Sequence, residues 1–151
     1  MQIAICDDEK SIGLILEEKI KKLLPDAVID KYLSGDELIA SGCEPDILFL
    51  DIQMPGMSGI ELAETIVRRG YPCKIVFLTG YDDFSYIHSA FQVNAVDYLL
   101  KPFTIEEVEA CLKKVRSELE KSEIADWSRK TAAKQLLEMA LREKQLSLIH
   151  I

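Results

Sequence analysis

The stretch Asp46-Ile-Leu-Phe-Leu-Asp51, followed by Ile52-Gln-Met-Pro-Gly56, carries the strongest signals for the architecture and the chemistry of this chain. The first run is short and apolar and ends in turn residues, which is typical of a strand covered on both faces. It delivers the carboxylate of Asp51 to the carboxyl end of that strand. Ligands of open parallel sheets bind outside the carboxyl ends of the strands, so Asp51 is a candidate site residue.

Other strand-like runs of the chain also end in polar side chains. These residues are Asp7 and Asp8 after Gln2–Cys6, Thr79 after Lys74–Leu78, and Lys101 after Ala95–Leu100. Together with Asp51 they make three carboxylates, a hydroxyl and an ammonium at the same ends of predicted strands. Such a set is suited to a divalent cation and a phosphoryl group.

Strand-like and helix-like stretches alternate along the first hundred residues. The predicted strands are Gln2–Cys6, Ala27–Leu33, Asp46–Asp51, Lys74–Thr79 and Ala95–Leu100, and the predicted helices are 10–24, a short one from Ser34 to near Gly42, Ser58–Arg69 and Asp83–Gln92. Five alternations predict an α/β protein with right-handed crossovers. We expect a flavodoxin-like (βα)5 fold, a doubly wound parallel sheet of order 2-1-3-4-5.

The C-terminal third of the chain predicts an extended helix. Residues 103–151 contain no Gly and no Pro, and helix formers dominate, so one long helix or two nearly collinear ones are expected. The apolar pattern that begins at Val108 fades across Glu120–Glu123 and restarts at Ile124. We therefore expect one domain over residues 1–120, and a linker or dimerisation helix over residues 121–151.

Composition excludes several classes of function. The net charge is -8, the sum of -11 over residues 1–112 and +3 over residues 113–151, and so acidic a body makes a poor direct ligand for nucleic acid. The four cysteines form no Cys-x-x-Cys, so reduced thiols are expected. No signal peptide and no membrane span are recognisable, which predicts a cytoplasmic protein without a membrane partner.

The clustered carboxylates predict a magnesium site. At ~4 Å and an effective dielectric constant of 20, each pair of carboxylates repels by about 4 kcal/mol, which a divalent cation would offset. Hard oxygen ligands favour Mg2+. Asp51 is the candidate nucleophile, because a carboxylate forms an acyl phosphate without a general base. Lys101 would pair with the phosphoryl oxygens, and Thr79 would donate its hydroxyl to another.

Four motifs in this chain resemble the signatures of the receiver domain of bacterial two-component response regulators. They are Cys6-Asp-Asp-Glu9, Asp51-Ile-Gln-Met-Pro-Gly-Met-Ser-Gly59, Leu78-Thr-Gly80 and Asp97-Tyr-Leu-Leu-Lys-Pro-Phe103. The resemblance covers residues 1 to about 120. It implies that Asp51 accepts a phosphoryl group from the phosphohistidine of a sensor histidine kinase.

The same resemblance implies a role for each neighbouring residue. Asp8, Asp51 and the main-chain carbonyl of Gln53 would bind Mg2+ directly, with Asp7 helping through water. Thr79 and Lys101 would contact the phosphoryl group. A cis peptide bond between Lys101 and Pro102 is also implied.

The resemblance further implies a conformational switch. Phosphorylation would draw Thr79 toward the site, and Tyr98, the matching switch aromatic, would swing inward. The surface formed by the fourth helix, fifth strand and fifth helix (the α4-β5-α5 face of the family) would change as a result. Gln53 and Tyr81 flank the approach of hydrolytic water and would tune the phosphoryl lifetime.

The output of the switch has several possible forms. Residues 90–103 resemble the matching segment of receivers that are joined to a LytTR-type DNA-binding domain. Residues 80–86 instead resemble the matching segment of receivers that precede AraC-type helix-turn-helix domains. We expect the receiver portion of a longer transcription factor, which contacts DNA only through a missing output domain. Phosphorylation would favour a homodimer, with Trp127, Leu137 and Leu141 as a possible helical seam.

Two alternative functions remain open at this stage. The first is a stand-alone receiver that signals through protein contacts alone. The second is a phosphohydrolase with an aspartyl nucleophile, although such enzymes usually have a second Asp where this chain has Gln53. In the favoured interpretation the protein is not an enzyme, and its chemistry is limited to self-phosphorylation and autodephosphorylation.

Overall fold

The structure, a computed structural model, describes residues 1–80 and 93–149, with side chains described as far as residue 145. The strands are β1 (Gln2–Cys6), β2 (Val28–Tyr32), β3 (Ile47–Asp51), β4 (Lys74–Thr79) and β5 (Asp97–Leu100), and the helices are α1 (Lys10–Leu23), α2 (Gly35–Ser41), α3 (Gly59–Arg68) and a C-terminal helix (Ile105–Ile149). The helix predicted at residues 83–92 lies outside the described residues, as does Tyr81.

All five strands form one parallel sheet of order β2-β1-β3-β4-β5, which confirms the predicted flavodoxin-like topology. The register aligns the carboxyl ends of the three central strands. Cys6 pairs with Leu50, and Asp51 pairs with Leu78. Asp7 and Thr79, one residue further along their strands, therefore lie at the same edge of the sheet as Asp51.

The predicted helix boundaries agree with the local capping groups. Ser34 caps α2, since its Oγ accepts a hydrogen bond of 3.1 Å from the Glu37 amide, and Ser58 caps α3 in the same way through Glu61, at 3.2 Å. Gly42 follows α2 with a φ of 68°, a left-handed conformation that favours glycine. The one clear difference is β5, whose pairing with β4 begins at Asp97, two residues later than predicted.

Apolar side chains cover both faces of the sheet. Alternate residues of β1, β3 and β4 form a cluster with α2 and α3, which includes Cys6, Leu50 and Phe77. Their neighbours in sequence point to the opposite face and are also buried, for example Ile5 and Phe49. All four cysteines are free, as predicted. None of the helices in the described part of the chain has the length and hydropathy needed to cross a membrane.

The C-terminal helix contains two contrasting stretches. Its first turns bury Val108, Cys111, Leu112 and Val115. A compact unit comprises Met1–Arg116, and a second unit begins at Ser117. In the C-terminal segment (117–145), large apolar side chains are exposed instead, with Trp127 at 68% and Ile124 at 65%.

Candidate functional site

Three carboxylates converge at the carboxyl edge of the sheet. Asp7 follows β1 and Asp51 ends β3, and both are buried, whereas Asp8 is exposed. One oxygen from each of the three lies within 4.8 Å of the others. We refer to Asp7, Asp8 and Asp51 as the acidic pocket. Sequence analysis placed these residues together because the carboxyl ends of neighbouring parallel strands share one edge.

Lys101 bridges the two buried carboxylates of the acidic pocket. Its Nζ lies 2.8 Å from Asp7 Oδ2 and 3.3 Å from Asp51 Oδ1. Its backbone N–H donates to the Thr79 carbonyl at 2.7 Å, which extends the β4–β5 pairing by one residue. The peptide bond between Lys101 and Pro102 is cis, as predicted. The ammonium is therefore anchored from the end of β5.

The backbone around Asp7 fixes the orientation of its side chain. The Asp7 amide donates to the Tyr32 carbonyl at 3.1 Å, and Asp7 Oδ1 accepts from the Glu9 amide at 2.8 Å. Among the described residues, Asp7 Oδ2 is buried with no donor besides the Lys101 ammonium. A buried carboxylate oxygen with so few partners has room for a further cation or a water bound to one.

The electrostatics of the pocket oppose full ionisation without a cation. Burial, and then the neighbouring charge of Asp7, raise the pKa of Asp51 to about 7, although Lys101 acts in the opposite direction. Burial alone would lower the pKa of Lys101, but its hydrogen bond to Asp7 and the charges of Asp51 and Asp7 outweigh it, so that pKa is raised. The folded pocket thus holds more negative charge than one ammonium balances.

The donor set of the pocket fits a hard divalent cation. All three side chains offer oxygen, and the cluster combines two buried carboxylates with one that is open to solvent. Mg2+ prefers oxygen ligands and keeps several of its own waters. Asp8 is exposed, so this side of the pocket is open to solvent. Within the described residues the cluster includes no cysteine or histidine, which disfavours softer metals.

The other predicted site residues lie in different environments. Thr79 is buried at the end of β4 and pairs with Leu100. Gln53 is exposed, and its backbone N–H donates to Asp51 Oδ1 at 3.4 Å. Tyr98 on β5 is 49% exposed, so its ring does not fill the interior in this conformation. Tyr81 is outside the described residues.

Sequence analysis missed a positioning role for Gly59. A Cβ on this residue would lie 2.0 Å from the carbonyl oxygen of Asp51, a distance that no side chain tolerates. The Gly59 amide donates to the Ile52 carbonyl at 2.9 Å, which holds the start of α3 against the end of β3. Gly59 closes the motif that begins at Asp51 and directly follows Ser58, so a glycine in the first position of a predicted helix was the available signal.

Comparisons with known proteins agree with this geometry. The model of the response regulator receiver domain family matches residues 3–116. The positive alginate biosynthesis regulatory protein of Pseudomonas aeruginosa is 35% identical over 117 residues, 76% of this chain and 46% of that protein. The sensory transduction protein LytT of Bacillus subtilis is 33% identical over 122 residues, 77% of this chain and 48% of that protein.

A solved structure is similar in the same region. The response regulator protein TrrA from Thermotoga maritima, in complex with Mg(2+)-BeF, is 31% identical with a TM-score of 0.65, and the match covers 76% of this chain and 97% of that one. The chain spans about half the length of the two regulatory proteins. The family match, the sheet order and the acidic pocket lead to one conclusion, that the chain belongs to the response regulator receiver domain family.

Proposed function

We propose that this chain is a phospho-acceptor in a two-component system, with Asp51 as the residue that receives the phosphoryl group from a sensor histidine kinase. The single observation that carries the proposal is the buried Asp51 carboxylate, which shares a pocket with two further carboxylates and the Lys101 ammonium. A structural ion pair needs one partner of each sign, whereas this pocket gathers three acidic groups around one base. That excess suits a phosphoryl group accompanied by a cation.

The transfer step needs no general base. One Asp51 oxygen attacks the phosphorus of a phosphohistidine, the P–N bond breaks, and its electron pair remains on the donor nitrogen. The product is an acyl phosphate on Asp51. Hydrolysis later returns the carboxylate, and an exposed Gln53 beside the pocket is placed to influence the approach of water. An amide cannot act as the general acid that an aspartyl phosphohydrolase uses, which favours signalling over turnover.

Each neighbour of Asp51 has a proposed role in this step. Asp8, Asp51 and the main-chain carbonyl of Gln53 would hold Mg2+, with Asp7 helping through water. When bound, the ion offsets the negative charge of the carboxylates and the phosphoryl oxygens. Lys101 pairs with a phosphoryl oxygen and gives up part of its contact with Asp51. The Thr79 hydroxyl donates to another oxygen of the phosphoryl group.

We infer that the output is transcriptional regulation. Inward movement of Tyr98, now half exposed, would follow the shift of Thr79 and alter the surface around β5. Two relatives, a positive alginate biosynthesis regulatory protein and a sensory transduction protein, support a regulatory output. Phosphorylation would favour a homodimer, and DNA would be contacted through a LytTR-type or AraC-type domain.

Intact-mass spectrometry after incubation with acetyl phosphate and Mg2+ tests the proposal. We expect wild type to gain one phosphoryl group (~80 Da), and we expect neither Asp51→Asn nor wild type in EDTA to gain it. Asp26→Asn, at an exposed turn, is the matched control and should label like wild type. Size-exclusion chromatography of the labelled sample reports on the proposed dimer.

Labelling of Asp51→Asn at the wild-type rate would overturn the assignment of the acceptor. The absence of labelling in wild type, under conditions where another receiver is phosphorylated, would remove the support for a phospho-acceptor role. Either result would leave the fold and the family assignment unchanged.

A further inference from the structure

A cavity of about 150 Å³ lies at the amino edge of the sheet, opposite to the acidic pocket. It is bounded by the segment between α2 and β3 and by the segment between α3 and β4. Asp46, at its rim, directly precedes β3, and Asp51 ends that strand. Five residues of strand span roughly 17 Å, so the cavity is separate from the phosphorylation site.

The inner wall of the cavity is apolar. Leu38, Leu48 and Ile66 are buried residues of the core cluster, and they come from α2, β3 and α3. Enclosed apolar cavities of similar volume accept a molecule the size of benzene. The space beside this apolar wall is therefore large enough for one small ring.

Two thiols and a tyrosine favour an aromatic ligand. Cys43 and Cys73, both half-buried, line the cavity from its two bounding segments. Thiol sulfur is polarizable and makes favourable contacts with aromatic rings. Burial raises the pKa of Cys73 to about 11, which keeps that thiol neutral. Tyr71 stands at the rim, 39% exposed, where its ring is available for stacking.

Arg69 gives the rim one cationic partner for an acidic substituent, and the carboxylates of Glu44 and Asp46 at the same rim act against it. Arg69 lines the cavity, and within the described ranges no carboxylate lies within 4.0 Å of its guanidinium. The Asp46 carboxylate already accepts a hydrogen bond of 2.8 Å from the backbone N–H of Gln2. Glu44, also at the rim, is exposed and opposes a bound anion. Arginine is the residue best suited to hold a carboxylate in two parallel hydrogen bonds.

We propose that this cavity is a binding site for a small aromatic carboxylate, with the ring between Cys43 and Ile66 and the carboxylate on Arg69. The site is additional to the phospho-acceptor role and does not depend on it. A ligand that bridges the segments before β3 and β4 would stabilise the unit that carries the acidic pocket.

Benzoate and toluene are matched probes, since they share a ring and differ in the charged group. Amide NMR spectra of the 15N-labelled chain should show saturable shifts confined to residues around 43–46 and 65–73 during benzoate titration. Toluene should cause shifts in the same residues with weaker affinity. Asp51→Asn should bind benzoate as wild type does, which separates this inference from the proposed function.

Variants at the cavity test the assignment of each wall. Cys43→Phe places a ring inside the cavity and should abolish binding of both probes, whereas Cys43→Ala should retain it. Arg69→Gln should weaken the binding of benzoate by about fivefold or more and leave the affinity for toluene unchanged. Arg68→Gln, one residue earlier and not at the rim, is the control and should change neither. Glu44→Gln should strengthen benzoate.

Three outcomes would overturn the inference. The first is the absence of saturable shifts with either probe. The second is unchanged benzoate binding by Cys43→Phe in a variant whose spectrum shows that it is folded. The third is equal binding of benzoate by wild type and Arg69→Gln, which would reject the acidic class of ligand.

Discussion

The unit Met1–Arg116 encloses some of its aromatic and lysine side chains, whereas those of the C-terminal segment (117–145) are exposed. In the first, aromatic side chains such as Phe77 are fully buried, and Lys101 is held between two buried carboxylates. In the second, Trp127 is 68% exposed, and Lys121 has one exposed partner, Glu118. Side chains carry stability and chemistry where the chain buries them, so single substitutions should separate the two regions.

The largest contrast is expected between two aromatic residues. Phe77→Ala should lower the free energy of unfolding by about 4 kcal/mol, because it empties a fully buried volume between sheet and helices. Trp127→Ala should change it by less than about 0.5 kcal/mol. Urea denaturation followed by circular dichroism measures both, since Trp127 is the only tryptophan and fluorescence would be lost. A large loss of stability in Trp127→Ala would contradict the expected difference between the two regions and indicate a packed helical interface.

Gly59→Ala tests the close approach of α3 to the end of β3. The added Cβ meets the Asp51 carbonyl at 2.0 Å, so backbone must move, and we expect a loss of about 3 kcal/mol. Gly13→Ala is the matched control in α1, where the new Cβ meets the Lys31 side chain at an ordinary 3.6 Å. It should be neutral or stabilising by about 0.5 kcal/mol. Similar behaviour of the two variants would refute the positioning role.

A pair of lysine substitutions compares the two regions electrostatically. Lys101→Gln leaves Asp7 and Asp51 without their cation and should lower the free energy of unfolding by about 2 kcal/mol in EDTA. Breaking a fully enclosed ion pair would cost more, because here solvent reaches the ammonium. Lys121→Gln, on the exposed surface, should cost no more than about 0.5 kcal/mol. Thermal unfolding with and without Mg2+ measures the difference. Equal effects would mean that the pocket is well solvated.

The smallest expected effect is a pH dependence that originates in Asp51. The pKa of its carboxyl is raised from 3.8 to about 7 in the folded protein. Between these values the folded state keeps a proton that the unfolded state has lost, so the free energy of unfolding falls as pH rises from about 4 to 7. Solvent reaches the pocket through the exposed Asp8 and screens these charges, so in EDTA Asp51→Asn should gain only about 1–2 kcal/mol relative to wild type over this interval, less than the full pKa shift would give.

Mg2+ provides the control for this pH dependence. Millimolar Mg2+ should remove most of the difference between wild type and Asp51→Asn, because the ion offsets the charge that burial and Asp7 make unfavourable. Asp26→Asn, which changes an exposed carboxylate, should follow wild type at every pH. If wild type and Asp51→Asn gave parallel stability profiles in EDTA, the pocket would not destabilise the charged form of Asp51.

The fold was largely predictable because its signals are local and periodic. Apolar runs of five or six residues, ended by Asp, Thr or Lys, marked four of the five strands, alternation marked the second, and Ser34 and Ser58 marked two helix starts. Parallel topology then brought Asp7, Asp8 and Asp51 together without further information. The start of β5 was predicted two residues early, because Ala95 and Val96 continue the apolar pattern; Val96 donates a hydrogen bond to the Ile75 carbonyl, but the paired residues begin at Asp97.

Other features of the site depend on distances that sequence does not encode. Lys101 forms ion pairs with both Asp7 and Asp51, and a backbone hydrogen bond from Lys101 to Thr79 holds it there. Sequence patterns do not reveal that hydrogen bond. The contact that requires Gly59 is a tertiary approach between a helix start and a strand end. The cavity beside Arg69 is a packing defect between segments, and its lining residues have no common periodicity.

The most direct test of the central claim identifies the phosphorylated residue chemically. Borohydride reduces an acyl phosphate to an alcohol and expels phosphate, so a phosphorylated aspartate becomes homoserine while free carboxylates do not react. After incubation with acetyl phosphate and Mg2+, peptide mapping should find homoserine at position 51 and at neither Asp7 nor Asp8. Homoserine at either of those residues, or none at all in a chain that has gained phosphoryl mass, would contradict the assignment of Asp51 as the acceptor.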